Sequence, residues 1–293
     1  MDKTEFLERI VCSLGEVLPK GEELQWELTS VMKNNGKRKN GIVIREEGQF
    51  IAPIIYLDSY YERHEEGEEF LTILQLIAEE FKAGREKTFS VPDVFLDFDT
   101  CKERLFFRLV NIGMNHELWE TTPYLPWNDL ALTVRYLCYE EEEGISSIFL
   151  VTNKELERWN VSWEDVVKRA RKNTKVLFPM KIMSMSEVLQ RIVPDMPTIP
   201  SLYVLTNERE LNGATCMTYE EELWEMAKKF ERDIYILPSS IHEVLLVVGG
   251  SDFEVRRLQT IVKDANNTVV RPDEILSYQV YFLSYETGKV TVL

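Results

Sequence analysis

The residues best equipped for chemistry crowd into one short stretch. The segment DIYILPSSIHEVLLVV (233–248) carries Ser239, Ser240, His242 and Glu243. A hydroxyl, an imidazole and a carboxylate are the parts of an acyl-transfer site, in which the base must lie about 3 Å from the nucleophile and be oriented by a third group. The spacing works against that assembly. Ser240 and His242 stand two apart, so on a strand they share a face with their side chains parallel, while Glu243 points to the other face. No Gly-x-Ser-x-Gly elbow occurs. One reading makes Ser239, Ser240, His242 and Glu243 a hydrolase-like site, and a second makes the stretch a ligand-binding loop. The plainer reading is a polar turn after Pro238, its serines bonding exposed amides and His242 bonding backbone.

Other chemistries find less support. His64, His116 and His242 are each followed by glutamate. Adjacent positions on a helix diverge, so such pairs cannot grip one ion together, and no His-Glu-x-x-His is present. No metal is expected. No cofactor is expected either, because the glycines form neither a Gly-x-Gly-x-x-Gly nor a Walker sequence. Gly249-Gly250-Ser251 could offer amides to an anion at a helix start, but Asp252 would compete for that positive end. Aromatic residues suggest a binding surface instead. Tyr60 lies in a tyrosine-rich stretch, and Trp119 and Trp127 flank Tyr124 and two prolines. Rigid aromatics of this kind anchor partners at low entropy cost. Tyr60, Trp119, Trp127 and Asn207 are therefore the candidate binding residues, with core packing as the simpler account of the aromatics.

The elements that must position these groups follow from periodicity and punctuation. Helical spacing predicts a helix over 4–18 capped by Thr4, and helices over 68–83, 163–173, 185–192, 220–230 and 252–265. Strands are predicted at 24–32, 41–46 and 51–57, joined first by Asn34-Asn35-Gly36, where positive φ costs little. Pro53 places the third of these at an edge or a bulge. Further strands are predicted at 104–110, 129–139, 145–151, 202–206, 233–237, 243–248 and near 279–284 and 289–292, with a short extended piece at 213–218. The alternation of Leu130, Leu132, Val134 and Tyr136 reads as a half-buried strand. Ser184 followed by Glu187 has the form of a capping box. A Thr-Asn phrase occurs twice, in FLVTNKEL (149–156) and YVLTNEREL (203–211), each time read as a strand end that opens a helix. The expected class is α+β, as two α+β units with mainly antiparallel sheets and flanking helices. The expected domains are 1–177 and 178–293, because prolines cluster between 175 and 200.

Bulk properties bound the partners. A formal charge of −16, from 34 basic and 50 acidic residues, disfavours direct binding to nucleic acid or to an anionic membrane. Met1–Ile10 carries acids instead of the basic and apolar regions of a leader. No apolar run approaches the roughly 20 residues that span a bilayer. Four cysteines, Cys12, Cys101, Cys138 and Cys216, stand far apart, as buried thiols of a reducing compartment would. A cytoplasmic protein is expected, with a protein as the expected kind of partner.

The chain also resembles an uncharacterised Firmicutes family, a domain of unknown function (DUF5688-like). The resemblance rests on GIVIREEG (41–48), IAPIIYLDSYYE (51–62), FRLVN (107–111), DLALTVRYL (129–137), LYVLTN with NGA (202–214) and YILPSSIHEVLLV (235–247). Segment 151–174 also resembles part of the YtpQ-like proteins (DUF1444). The resemblance implies one integrated architecture and a Firmicutes cytoplasm, and no activity. The expected function is noncatalytic binding or adaptation inside the cell. The alternatives are a hydrolase-like or ligand-binding site at the PSSIHE loop, and an acidic nucleic-acid mimic in defence or counter-defence.

Overall fold

A computed structural model describes residues 1–20, 23–46, 52–86, 97–141, 144–193, 199–249 and 254–293. The chain forms two compact units. Unit 1 is Met1–Lys33 with Lys37–Asp93, and unit 2 is Asn34–Gly36 with Val94–Leu293. The boundary expected between 177 and 178 falls inside unit 2. A hydrophobic cluster there takes Leu105, Val134 and Val166 from before that point and Leu205, Leu223 and Ile236 from after it. Burial of these faces against each other joins what the prolines punctuate. Pro194 and Pro197 themselves lie outside the described residues.

Unit 1 opens with α1 (Lys3–Ser13), followed by β1 (Leu24–Met32), β2 (Arg38–Glu46), β3 (Ile54–Tyr56), α2 (Asp58–Glu65) and α3 (Phe70–Glu86). The cap of α1 is Asp2 instead of Thr4, because Asp2 and Glu5 exchange both bonds of a capping box. The strands are antiparallel in the order β1-β2-β3. Asn35 adopts φ 61° and Gly36 φ 65° between β1 and β2, as the turn chemistry predicts. β3 is an edge strand and begins just after Pro53. Phe6 and Ile10 of α1, Ile42 and Ile44 of β2, and Ile73, Ile77 and Phe81 of α3 fill its core.

Unit 2 continues with α4 (Phe98–Cys101), β4 (Leu105–Asn111), β5 (Leu125–Trp127), β6 (Leu130–Glu141), β7 (Gly144–Leu150), α5 (Asn153–Trp159) and α6 (Trp163–Leu177). It goes on with β8 (Met180–Ser184), α7 (Met185–Gln190), β9 (Leu202–Asn207), α8 (Glu220–Phe230), β10 (Ile234–Pro238), β11 (Val244–Val248), α9 (Val255–Thr268), β12 (Tyr281–Leu283) and β13 (Val290–Val292). β6 pairs with β4, β5 and β7, and a second sheet runs β13-β12-β10-β11-β9-β8. All the pairings are antiparallel.

Five elements depart from expectation. β6 is buried on both faces from Leu130 through Val134, since its outward positions are covered as well. β5 and β8 are additional strands. Residues 213–218 form a buried 3-10 helix instead of an extended piece. α6 runs four residues past its expected end, because Asn173 and Thr174 are buried and spend their side chains on β4 and the turn before it. Asn173 donates to the carbonyls of Lys102 and Leu105, and the amide of Phe107 donates to the Thr174 hydroxyl.

Asp129 ties the first sheet to the C-terminal segment. It accepts from the Tyr281 hydroxyl at 2.6 Å and from the Ser277 hydroxyl at 2.7 Å. Tyr281 is fully buried, and burial pushes its phenol far up, with Asp129 adding to the effect. Tyr281→Phe leaves that carboxylate short of a donor. It should lower the unfolding free energy by about 1–3 kcal/mol with an unchanged denaturant slope, measured by urea denaturation followed by circular dichroism.

Candidate functional site

The PSSIHE turn joins β10 to β11, and pairing of β11 with β9 (Val244 opposite Leu205) brings it to the end of the second Thr-Asn phrase. There Thr206 does not cap a helix. Its hydroxyl donates to the His242 carbonyl at 2.8 Å. Asn207 is buried, accepts from the amide of Arg209, and donates its side-chain amide to the Leu211 carbonyl. The phrase thus makes a turn, with Glu210 and Asn212 at positive φ. Only in the first copy does the expected helix start appear, where Thr152 and Glu155 form a capping box on α5. Gly213 fits where a side chain would not. A Cβ there would meet the Thr206 hydroxyl, and would lie 2.5 Å from the His242 carbonyl oxygen and 2.8 Å from the Asn207 nitrogen.

His242 is held by backbone. The amide of Asn212 donates to its Nδ1 at 3.2 Å, and Nε2 lies 4.0 Å from a Glu274 carboxylate oxygen. Ser240 turns its hydroxyl oxygen to the His242 amide at 3.0 Å. Among the described residues no hydrogen bond joins the imidazole to Ser239 or Ser240, so the nucleophile–base pair of a serine hydrolase is not assembled. Asn207 and His242 do converge, through Thr206 and the Asn212–Gly213 turn, but each is committed to that turn. Burial holds His242 below its ordinary value. Glu274 opposes this, and Arg108 and Arg271 reinforce it. Burial pushes Glu243 up, and Glu210 adds to it.

The aromatic candidates separate. Tyr60 belongs to the core of unit 1, where its hydroxyl donates to Glu80 and burial pushes its phenol up. Trp119 donates to the Ile112 carbonyl and packs on Tyr124 at 4.3 Å between ring centroids. Trp127 lines a groove. A concavity of about 610 Å³ is walled by Phe107, Leu125, Trp127, Leu132, Arg171 and Tyr219, among others. A neighbouring one of about 480 Å³ shares Leu125 and Arg171 and adds Trp163, Val167, Lys168 and Lys172. The Trp127 indole donates to Glu220 at 3.1 Å at one edge. One side of the groove is therefore the basic run of α6, Glu220 and Glu221 also line the larger concavity, and Glu164 lines the smaller one.

Sequence reasoning missed two sets of residues. The basic run of α6 carries no signal of its own in the sequence, and its place beside Leu125 makes it a groove wall. Arg108 and Arg135 interrupt the otherwise apolar strands LFFRLVN and LALTVRYL. That interruption was a visible signal. Of the cysteines, Cys101 and Cys216 are buried, and burial pushes their thiols up to about 11 and about 12, but Cys12 is exposed, contrary to expectation. Of the suggested Gly249–Ser251 anion turn, Gly250 and Ser251 lie outside the described residues. Among the described residues no helix is long and apolar enough to cross a membrane.

A family model for a family of unknown function, DUF5688, matches residues 3–285. The chain belongs to the DUF5688 family. No curated protein and no solved structure matches it. The family match spans both units, so the turn around His242 and the groove along α6 both lie within the matched region.

In the fold His242 takes up its proton at lower pH than an ordinary unfolded-chain histidine, for which the value is about 6.5. Its contribution to stability is therefore complete above that pH and is lost as the pH falls toward the folded-state value. His242→Asn keeps an acceptor near the Asn212 amide and removes the titration. Denaturation series between pH 7.5 and 5 should show a shallower fall of stability for this variant than for wild type (a range chosen about the ordinary histidine value). Equal slopes would place the proton uptake elsewhere.

Proposed function

We propose that this family member is a noncatalytic binding protein that docks an acidic, partly apolar segment of a protein partner along α6. The observation that carries this is the pair of concavities sharing Leu125 and Arg171, with Trp127 and Trp163 in their walls and Lys168, Arg171 and Lys172 beside them. Aromatic anchors in a concave wall supply the affinity, and the cations select the charge of the occupant. Lys175, at the other end, is already paired with Glu222 at 2.7 Å. In the smaller concavity Lys168, Arg171 and Lys172 outnumber Glu164, which on a chain of net charge −16 favours acidic ligands at this face. The reading fits a cytoplasmic protein of a Firmicutes bacterium.

Selection of random peptides on the immobilised chain tests this. Enriched peptides should be acidic with an apolar residue. Arg171→Glu and Lys172→Glu should each weaken them by on the order of 1 kcal/mol, the size of an exposed pair, and Trp127→Ala should weaken them further, with the fold retained. Peptides without acidic enrichment, or binding indifferent to all three variants, would remove the proposal.

A further inference from the structure

We infer that Arg108 and Arg135 form a binding site for a phosphate-type oxyanion, such as inorganic phosphate or a small phosphate monoester. In the β4–β6 pairing Arg108 stands opposite Thr133, and Arg135 stands opposite Phe106. The two arginines are thus diagonal neighbours on one face of the sheet, within reach of one another for long side chains. Phe106, Val110, Ala131 and Leu137 share that face and are fully buried, so the pair projects from a rigid apolar floor. The Nε atoms of both arginines are buried and, among the described residues, have no hydrogen-bond partner. Both residues nevertheless keep some accessible surface.

Among the described residues the pair is only partly neutralised. The carboxylates whose charge reaches Arg108 are Asp273 and Glu274. They lie 3.6 Å and 3.5 Å from Arg271, and Glu274 also faces His242 at 4.0 Å. The charge that reaches Arg135 is that of Arg108, of the same sign. Burial lowers Arg108 to about 10 and Arg135 well below the usual guanidinium range. A buried charge without a partner is among the costliest arrangements in a protein, and two side by side add their repulsion. An anion between them supplies the missing acceptors. A carboxylate offers two oxygens, enough for one guanidinium fork. A phosphate offers three or four oxygens and roughly two negative charges, which suits two forks at once. This site is separate from the groove along α6 and does not rest on the peptide-docking reading.

The full chain is titrated with inorganic phosphate and with glycerol 3-phosphate by calorimetry. Its melting temperature is followed in phosphate and in chloride at matched ionic strength. The site predicts saturable binding of at least one of the two probes and a higher melting temperature in phosphate than in chloride. Arg108→Met and Arg135→Met should each weaken binding by about tenfold or more, as loss of a charge-assisted bond implies, while circular dichroism shows the fold retained. Equal melting in phosphate and chloride with no binding heat for either probe would overturn the proposal. So would binding that survives both substitutions. If a variant does not fold, the Nε–H signals of wild-type Arg108 and Arg135 in nitrogen-15 NMR decide: saturable shifts with phosphate support the site, and unmoved signals refute it.

Discussion

The backbone amide of Asn212 donates to Nδ1 of His242, and the arrangement of unit 2 around its candidate site depends on that contact. Gly213 makes room for it, because a side chain there would run into the His242 carbonyl and the Asn207 backbone. The same approach lets Thr206 donate to that carbonyl and Ala214 to the carbonyl of Ile241. The Ile241 amide in turn donates to the Glu274 carbonyl, drawing in the loop that carries Asp273 and Glu274. A turn that looks chemically rich in sequence is thus largely self-satisfied. Its polar atoms serve each other, as buried polar groups must.

This changes where binding is to be sought. A catalytic site needs a base with a free nitrogen aimed at a nucleophile. Here the nitrogen that accepts is occupied by backbone, and the serine facing the histidine meets its amide. The unmet demands of unit 2 lie elsewhere. The buried Nε atoms of Arg108 and Arg135 have no hydrogen-bond partner among the described residues, and α6 presents cations beside an apolar concavity. Both features call for something anionic, at two scales: a small ion between two guanidiniums, and a longer segment along a helix. Each is local cationic chemistry on an acidic protein.

Much of the framework was legible because local chemistry decided it. The Asn34-Asn35-Gly36 turn, the Ser184–Glu187 capping box and the Thr152 helix start each depend on a few adjacent residues. The α+β class followed from the same signals. What escaped was decided by distant contacts. β5 exists because residues 125–127 pair with 130–132. β8 exists because 180–184 pair with β9. Residues 213–218 wind into a 3-10 helix because that segment is packed under Thr206 and His242. The two Thr-Asn phrases read alike and diverge for the same reason. The first is followed by Glu155, which completes a capping box; the second is followed by a turn that Asn207 holds with its side chain. The site around Ser240 and His242 was legible as a list of residues, but not in its hydrogen bonds. The two arginines interrupt apolar strands, a signal the sequence reading passed over, and their unpartnered Nε atoms required the fold.

The protonation of His242 tests most directly whether this turn is structure or catalyst. Nitrogen-15 NMR of the imidazole, followed through a pH titration, reports which nitrogen carries the proton and where it is gained. The hydrogen bond from Asn212 requires an unprotonated Nδ1 and a protonated Nε2 at neutral pH, with the second proton taken up below the ordinary histidine value of 6.5. A proton on Nδ1 at neutral pH, or a titration above that value, would contradict the account and return His242 to the list of candidate bases.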